Sequence, residues 1–111
     1  MGRTFVVVKT TFPSTHALFE CSIPAVSFLA STHRHLFYVT VKWEVTDPNR
    51  QKEFFTQKAL LENFIEERGW RKHGLGSMSC EMVAREIAEA LDTQFVSVYE
   101  DNENGAEFHR V

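Results

Sequence analysis

The chain has 111 residues, which suits one domain over residues 1–111, and it is 43% hydrophobic and 24% charged. Its formal net charge of -3 argues against nucleic acid as a partner. No apolar run approaches the roughly 20 residues that cross a bilayer, and the N-terminus lacks the apolar core of a signal peptide. We therefore expect a cytoplasmic protein without a membrane partner. Cys21 and Cys80 have no motif spacing, so free thiols are expected.

Strands are predicted throughout the first half of the chain. Thr4 to Phe12 is β-branched and aromatic, and Pro13 marks a bulge or a sheet edge. His16 to Ser22 is expected to continue this strand, and Ile23 to Thr32 is expected to form a loop. Leu36 to Thr46 alternates apolar and polar residues and is the clearest strand. Its apolar face consists of Phe37, Val39, Val41, Trp43 and Val45.

Two helices and a final pair of strands are predicted after this. The first helix runs from about Arg50 to Arg68 and ends at Gly69, a residue that favours the left-handed helix terminus. The second helix runs from about Cys80 to Leu91. One side of the first helix carries apolar residues at helical spacing, namely Phe54, Leu61, Phe64 and Ile65. The expected buried residues of the second helix are Val83, Ile87, Ala90 and Leu91. The remaining elements are a strand at 94–100, a polar turn at 101–105 and a short strand at 106–110.

Three histidines indicate a metal site. His33 and His35 are two residues apart at the start of a predicted strand, so their side chains point to the same face. His16 ends the earlier β-rich run and could supply a third ligand. Three protein ligands with an open fourth position are typical of a catalytic zinc site. The alternative is three unrelated surface or core histidines.

Five segments, in the same order, resemble motifs of the 6-pyruvoyltetrahydropterin synthase and 6-carboxytetrahydropterin synthase family, the latter acting in queuosine biosynthesis. Phe12–Leu18 resembles the family's Phe-x-Ala-Ala-His-Arg-Leu opening, and His33–His35 resembles its His-Gly-His. Glu53–Ala59 resembles the Asp-Phe-x-x-Leu-Lys segment that begins the first helix. Ser79–Ala84 resembles the start of the second helix, and Val98–Asp101 resembles the family's Val-x-Glu-Thr.

The resemblance implies an α+β T-fold, or tunnelling fold. This fold has the order β-β-α-α-β-β, an antiparallel sheet and two helices on one face. It implies a homo-oligomer, a hexamer built from two trimers, with active sites between subunits. It also implies Zn²⁺ held by His16, His33 and His35, and a reduced pterin such as dihydroneopterin triphosphate as substrate.

The resemblance also implies a pocket for the pterin ring. Glu100 would accept hydrogen bonds from the amino and ring N–H groups, whereas the alternative is a solvated glutamate at a strand end. Ser79 and Cys80 would line the ring pocket, and either Ser77 or Ser79 is a candidate helix cap. Glu81 is either a site residue or an acidic residue that the helix dipole favours in the first turn.

The family's proton-transfer residues do not align with this chain. The family cysteine that precedes the His-x-His motif is missing from residues 27–32, and the nearest thiol is that of Cys21. The family Asp-His pair aligns with Arg68–Trp70. Cys21 could be a relocated nucleophile or a buried structural thiol. His73 could be a displaced general acid or base, or an exposed loop residue.

Two functions of different classes therefore follow from the sequence. The first is a zinc-dependent lyase that acts on a reduced pterin. The second is a catalytically altered relative that binds a pterin or purine-like ligand as a sensor, sequestering or assembly protein. A zinc hydrolase on the same scaffold is a third possibility.

Overall fold

The computed structural model describes residues 2–18 and 23–110. The strands are β1 (Thr4–His16), β2 (His33–Val45), β3 (Phe95–Glu100) and β4 (Asn104–His109). The helices are α1 (Phe54–Arg68), α2 (Trp70–His73) and α3 (Cys80–Leu91), and Pro24–Ala30 forms a 3-10 segment. This confirms the predicted order, with the single-turn helix α2 added. No helix in the described residues is long and apolar enough to span a membrane.

The strands form one antiparallel sheet in the order β1-β2-β3-β4. Pro13 does not interrupt β1, because it pairs with Leu36 within a continuous strand. Proline is tolerated there because β1 is an edge strand, where a missing N–H costs no ladder hydrogen bond on the open side. β1 ends at His16, so the predicted continuation is wrong for the described residues 17 and 18. Residues 19–22 lie outside the described residues.

The segment predicted to be a loop contains a 3-10 helix. Pro24 occupies its first turn, where the fixed φ of proline suits a helix start. Hydrogen bonds between residues three apart, from Val26 N to Ile23 O and from Ser31 N to Phe28 O, hold the turns at either end. A kink at Val26 (φ -127°, ψ 30°) separates the two turns, which explains why no helical period is visible in the sequence.

The core lies between one face of the sheet and the two longer helices. The alternating residues of β2 from Phe37 to Trp43 are at most 2% exposed, as predicted. α1 packs against β1, and α3 packs against β3 and β4. The buried residues of α3 are Cys80, Val83, Ala84, Ile87 and Ala88. Ala90 is exposed, so its predicted burial is wrong.

Helix α1 begins four residues later than predicted. Arg50 has a left-handed backbone (φ 57°), and Glu53 caps the helix by accepting hydrogen bonds from the N–H groups of Phe55 and Thr56. Phe54 is therefore the first helical residue and is 63% exposed, so it does not share the burial of Leu61 and Ile65. The helix ends at Gly69 in the left-handed conformation (φ 70°), as predicted.

Candidate metal centre and adjoining cleft

Strand pairing brings the three predicted histidines together. His16 pairs directly with His33 at the end of the β1–β2 ladder, and His35 follows two residues later on the same face. The ring centroids are 4.6 Å apart for His16 and His33, 5.4 Å for His16 and His35, and 5.0 Å for His33 and His35. One ligand nitrogen from each ring lies within 4.8 Å of the other two. The residues therefore form a histidine triad, as the sequence predicts.

Main-chain oxygen atoms orient two rings of the triad. Nδ1 of His16 lies 3.1 Å from the carbonyl oxygen of Met78, which precedes α3. Nδ1 of His33 lies 2.8 Å from the carbonyl oxygen of Ser31. Since a carbonyl oxygen only accepts, Nδ1 is the donor in both rings, and Nε2 is the nitrogen that each neutral ring would offer to a metal. This is the arrangement of metal-binding histidines, whose second nitrogen donates to an outer partner.

A carboxylate orients the third ring. Nδ1 of His35 donates to Oδ2 of Asp101 at 2.7 Å, and Oδ1 of Asp101 accepts from the N–H of Leu36 at 2.9 Å. The hydrogen bond from the Leu36 N–H, followed by that from His35, lowers the pKa of Asp101. Asp101 was not predicted to be a site residue. The signal for it was its position directly after Glu100 in an acidic turn, but its contact with His35 is visible only in the folded chain.

The residues present suit a metal ion at this position. Nε2 of His16 is buried and has no hydrogen-bond partner among the described residues. Oε2 of Glu100 lies only 2.8 Å from it, so this is a close approach without the alignment of a hydrogen bond. Oε1 of the same carboxylate lies 3.8 Å from Nε2 of His35. Imidazole nitrogens beside one carboxylate are a donor set that Zn²⁺ prefers.

A cleft of about 300 Å³ adjoins the triad. Its walls include all four residues predicted to line a ring pocket, together with two of the triad histidines. The lining residues are His16, Ala17, Leu18, Leu29, His33, Ser77, Ser79, Cys80, Glu81, Glu100, Asn104 and Gly105. The loop before α3 is held against the end of β1 by hydrogen bonds from Ala17 N to Gly76 O (3.0 Å) and from Leu75 N to Thr15 O (2.7 Å). The cleft thus depends on the same strand end as the triad.

The start of α3 forms the polar wall of the cleft. Ser79 caps the helix, since its hydroxyl accepts from the N–H of Met82 at 3.2 Å, so capping and lining are compatible. Burial, followed by the negative charges of Glu100 and Glu81, raises the pKa of Cys80 to about 12. The Cys80 thiol is therefore neutral near pH 7 and is not a thiolate nucleophile.

The two predicted proton-transfer residues do not join this cleft in the described chain. His73 is exposed on α2 and lines a separate basic depression with Arg34, Arg71 and Lys72. Cys21 lies outside the described residues. Within the described residues, the groups at the cleft that could move a proton are the imidazoles of His16 and His33 and the carboxylates of Glu81 and Glu100.

Structural comparison identifies proteins with the same architecture. A crystal structure of an uncharacterised protein from Wolinella succinogenes superposes with a TM-score of 0.76 at 12% identity, over 100% of both chains. The 6-pyruvoyl tetrahydropterin synthase of Caenorhabditis elegans superposes with a TM-score of 0.66 at 15% identity, over 100% of this chain and 98% of the other. No protein-family model and no curated protein matches the sequence. Over its whole length, the chain therefore has the α+β T-fold of 6-pyruvoyl tetrahydropterin synthase, the fold that its sequence resemblance implies.

Proposed function

We propose that this protein is a zinc-dependent pterin lyase of the 6-pyruvoyl- or 6-carboxytetrahydropterin synthase type, with a reduced pterin such as dihydroneopterin triphosphate as substrate. The observation that supports it best is the convergence of three imidazoles within 4.8 Å at the wall of a cleft. The shared fold supports the ligand class, since the C. elegans protein with this fold is a pterin synthase.

His16, His33 and His35 would hold the zinc ion. When bound, zinc supplies a Lewis acid that polarises a hydroxyl or carbonyl oxygen of the ligand. The hydrogen bonds on the three Nδ1 atoms hold the rings in place and leave the Nε2 atoms available for the metal. This preorganisation favours metal affinity because little side-chain freedom is left to lose.

The cleft would take the pterin ring. Its volume of about 300 Å³ is at the small end of the range for ligand sites, as expected for a single bicyclic ring. Leu18 and Leu29 provide apolar surface, and a hydrogen bond from Leu18 N to Leu29 O (2.7 Å) ties them together. Glu100 would accept two parallel N–H bonds from the ring, which fixes its orientation as well as adding affinity.

A second function, ligand binding without turnover, is favoured by one specific observation. The only described thiol at the cleft, Cys80, is neutral at pH 7, and His73 lies at a different surface depression. A single chain therefore offers no described equivalent of the usual proton relay. In this alternative the protein would retain the ring in the cleft as a sensor, sequestering or assembly protein.

We propose a homo-oligomer, a hexamer of two trimers, in the cytoplasm. β1 and β4 are the two edges of the sheet, and among the described strands none pairs with their outer sides. Pairing of β4 from one copy with β1 of the next would close a ring and remove these edges. Analytical ultracentrifugation tests this assembly, and a monomer at micromolar concentration would contradict it.

Elemental analysis of the purified protein is the first test of the metal. We expect close to one zinc per chain in the wild type and almost none in His35→Ala. His109→Ala is the matched control, because His109 lies on β4, pairs with Glu107 and should leave the zinc content unchanged. Absence of zinc from the wild type after reloading would refute the metal site.

Turnover separates the two functions. The zinc-loaded protein is incubated with dihydroneopterin triphosphate, product is followed by chromatography, and binding is measured by calorimetry. Product that disappears in His35→Ala supports the lyase. Micromolar binding without product over hours supports the binding protein, whereas turnover by metal-free wild type would refute zinc-dependent chemistry.

A further inference from the structure

The carboxylate of Glu100 lies against two rings of the triad. Oε2 is 2.8 Å from Nε2 of His16, and Oε1 is 3.8 Å from Nε2 of His35. These are the nitrogens left free for a metal, since Nδ1 of each ring is already used. Glu100 therefore approaches the ligand side of the triad and not its outer side.

The spacing is that of a fourth ligand. Zinc–ligand bonds of about 2.1 Å in a tetrahedron place neighbouring ligand atoms about 3.4 Å apart. The two carboxylate oxygens lie on either side of this value, Oε2 at 2.8 Å from Nε2 of His16 and Oε1 at 3.8 Å from Nε2 of His35. The short contact also lacks hydrogen-bond alignment, as expected where both atoms are directed toward a shared ion instead of toward each other.

The backbone of Glu100 is firmly placed. Glu100 ends β3, where it pairs with Phe37 on one side and with Asn104 on the other. Glu100 thus stands at the end of an inner strand, with its backbone held by a neighbouring strand on each side. The same residue lines the cleft and lies against the triad.

We propose that Glu100 is the fourth zinc ligand when the cleft is empty, so that the resting metal site is closed. This inference rests on the proposed zinc site. A ring whose N–H groups bind the carboxylate would draw Glu100 away from the metal and open the fourth position. One carboxylate would then both recognise the ring and keep other small ligands off the metal until the ring arrives.

Cobalt substitution tests the proposal without an activity assay. Co²⁺ is added to the metal-free wild type, Glu100→Gln and Glu89→Gln, and visible absorption and chelator competition are recorded. Glu89→Gln is the matched control, because Glu89 is exposed on α3 and pairs with Arg85 away from the cleft. We expect Glu100→Gln to change the cobalt spectrum and to weaken metal binding by at least about tenfold, since losing even an outer partner costs 10–100-fold. Glu89→Gln should match the wild type.

Azide reports directly on an open coordination position. Millimolar azide should leave the cobalt spectrum of the wild type unchanged and should shift that of Glu100→Gln. Adding 7,8-dihydroneopterin to the wild type should itself shift the cobalt spectrum, because a ligand oxygen would replace Glu100 on the metal. A wild-type spectrum that azide shifts would overturn the proposal even if the Gln variant fails to fold.

The failures of the two proposals differ in this experiment. If the wild type binds no cobalt or zinc, the metal site itself is wrong and the inference about Glu100 is lost with it. If the wild type binds metal and Glu100→Gln has the same spectrum and affinity, the triad stands as a metal site and only the fourth-ligand role is refuted.

Discussion

Replacing Asp101 by asparagine should loosen the metal site through His35 alone. Asp101 accepts two N–H bonds, from Nδ1 of His35 at 2.7 Å and from the Leu36 backbone at 2.9 Å. Asparagine has one accepting oxygen and one donating NH₂ group, so it can serve only one of these donors. If asparagine keeps the bond from the backbone N–H, its NH₂ group faces the Nδ1–H of His35. The imidazole ring must then rotate, or its proton must move from Nδ1 to Nε2.

The turn itself should tolerate this change. Asp101 has a left-handed backbone (φ 53°), a conformation that asparagine adopts as readily as aspartate. Outer-shell partners of zinc-binding histidines are worth about 10–100-fold in metal affinity, so we expect a loss in this range. Zinc affinity is measured by competition with a fluorescent chelator at pH 7.5.

Asp92→Asn is the matched control for this prediction. Asp92 also has a left-handed backbone (φ 51°), but it ends α3 and pairs with Arg110 at 2.7 Å, away from the triad. Its variant should bind zinc as the wild type does. A Kd for Asp101→Asn within twofold of both would show that the carboxylate does not support His35, and the outer-shell reasoning would fail.

Three further predictions concern capping, the buried thiol and the hairpin. The helix-capping bonds that lower the pKa of Glu53 stabilise the fold above the ordinary glutamate pKa, and this stabilisation is lost as pH falls through the folded value. Glu53→Gln should therefore lower the urea midpoint at pH 7 and have a smaller effect as the solution is made acidic, whereas Glu66→Gln should not show this pH dependence. With its pKa near 12 instead of 9.0, Cys80 should be alkylated about a thousandfold more slowly at pH 8 than after unfolding, as peptide mass spectrometry would detect; equal rates would contradict its burial. Gly105→Ala would place a Cβ 2.1 Å from a backbone oxygen, so thermal unfolding should reveal a loss of about 1–3 kcal/mol or more, whereas Gly2→Ala meets nothing within 4 Å and should be neutral.

Local patterns were sufficient for most of the fold. The two-residue period of β2 identified its buried face, and the same period placed His33 and His35 on that face beside Phe37. The end of the first helix could be predicted from Gly69, because glycine adopts the left-handed conformation at a helix terminus without strain. The start of that helix was misjudged because a side-chain cap at Glu53 decided it, and composition upstream did not reveal the cap.

Both the sequence pattern and the folded structure were needed to identify the histidine triad. Spacing along one strand predicted two of its members, but the arrival of His16 depended on the β1–β2 register, which pairs it with His33. Two contacts join residues that are far apart in the chain, His35 with Asp101 and His16 with Glu100. The spacing of residues along a strand or helix does not predict such contacts. The period of apolar residues reflects which side chains are buried away from water, so it can be recognised within a short stretch of sequence. Hydrogen bonds and metal ligands depend on direction and distance between separate segments, so only the folded structure decides them.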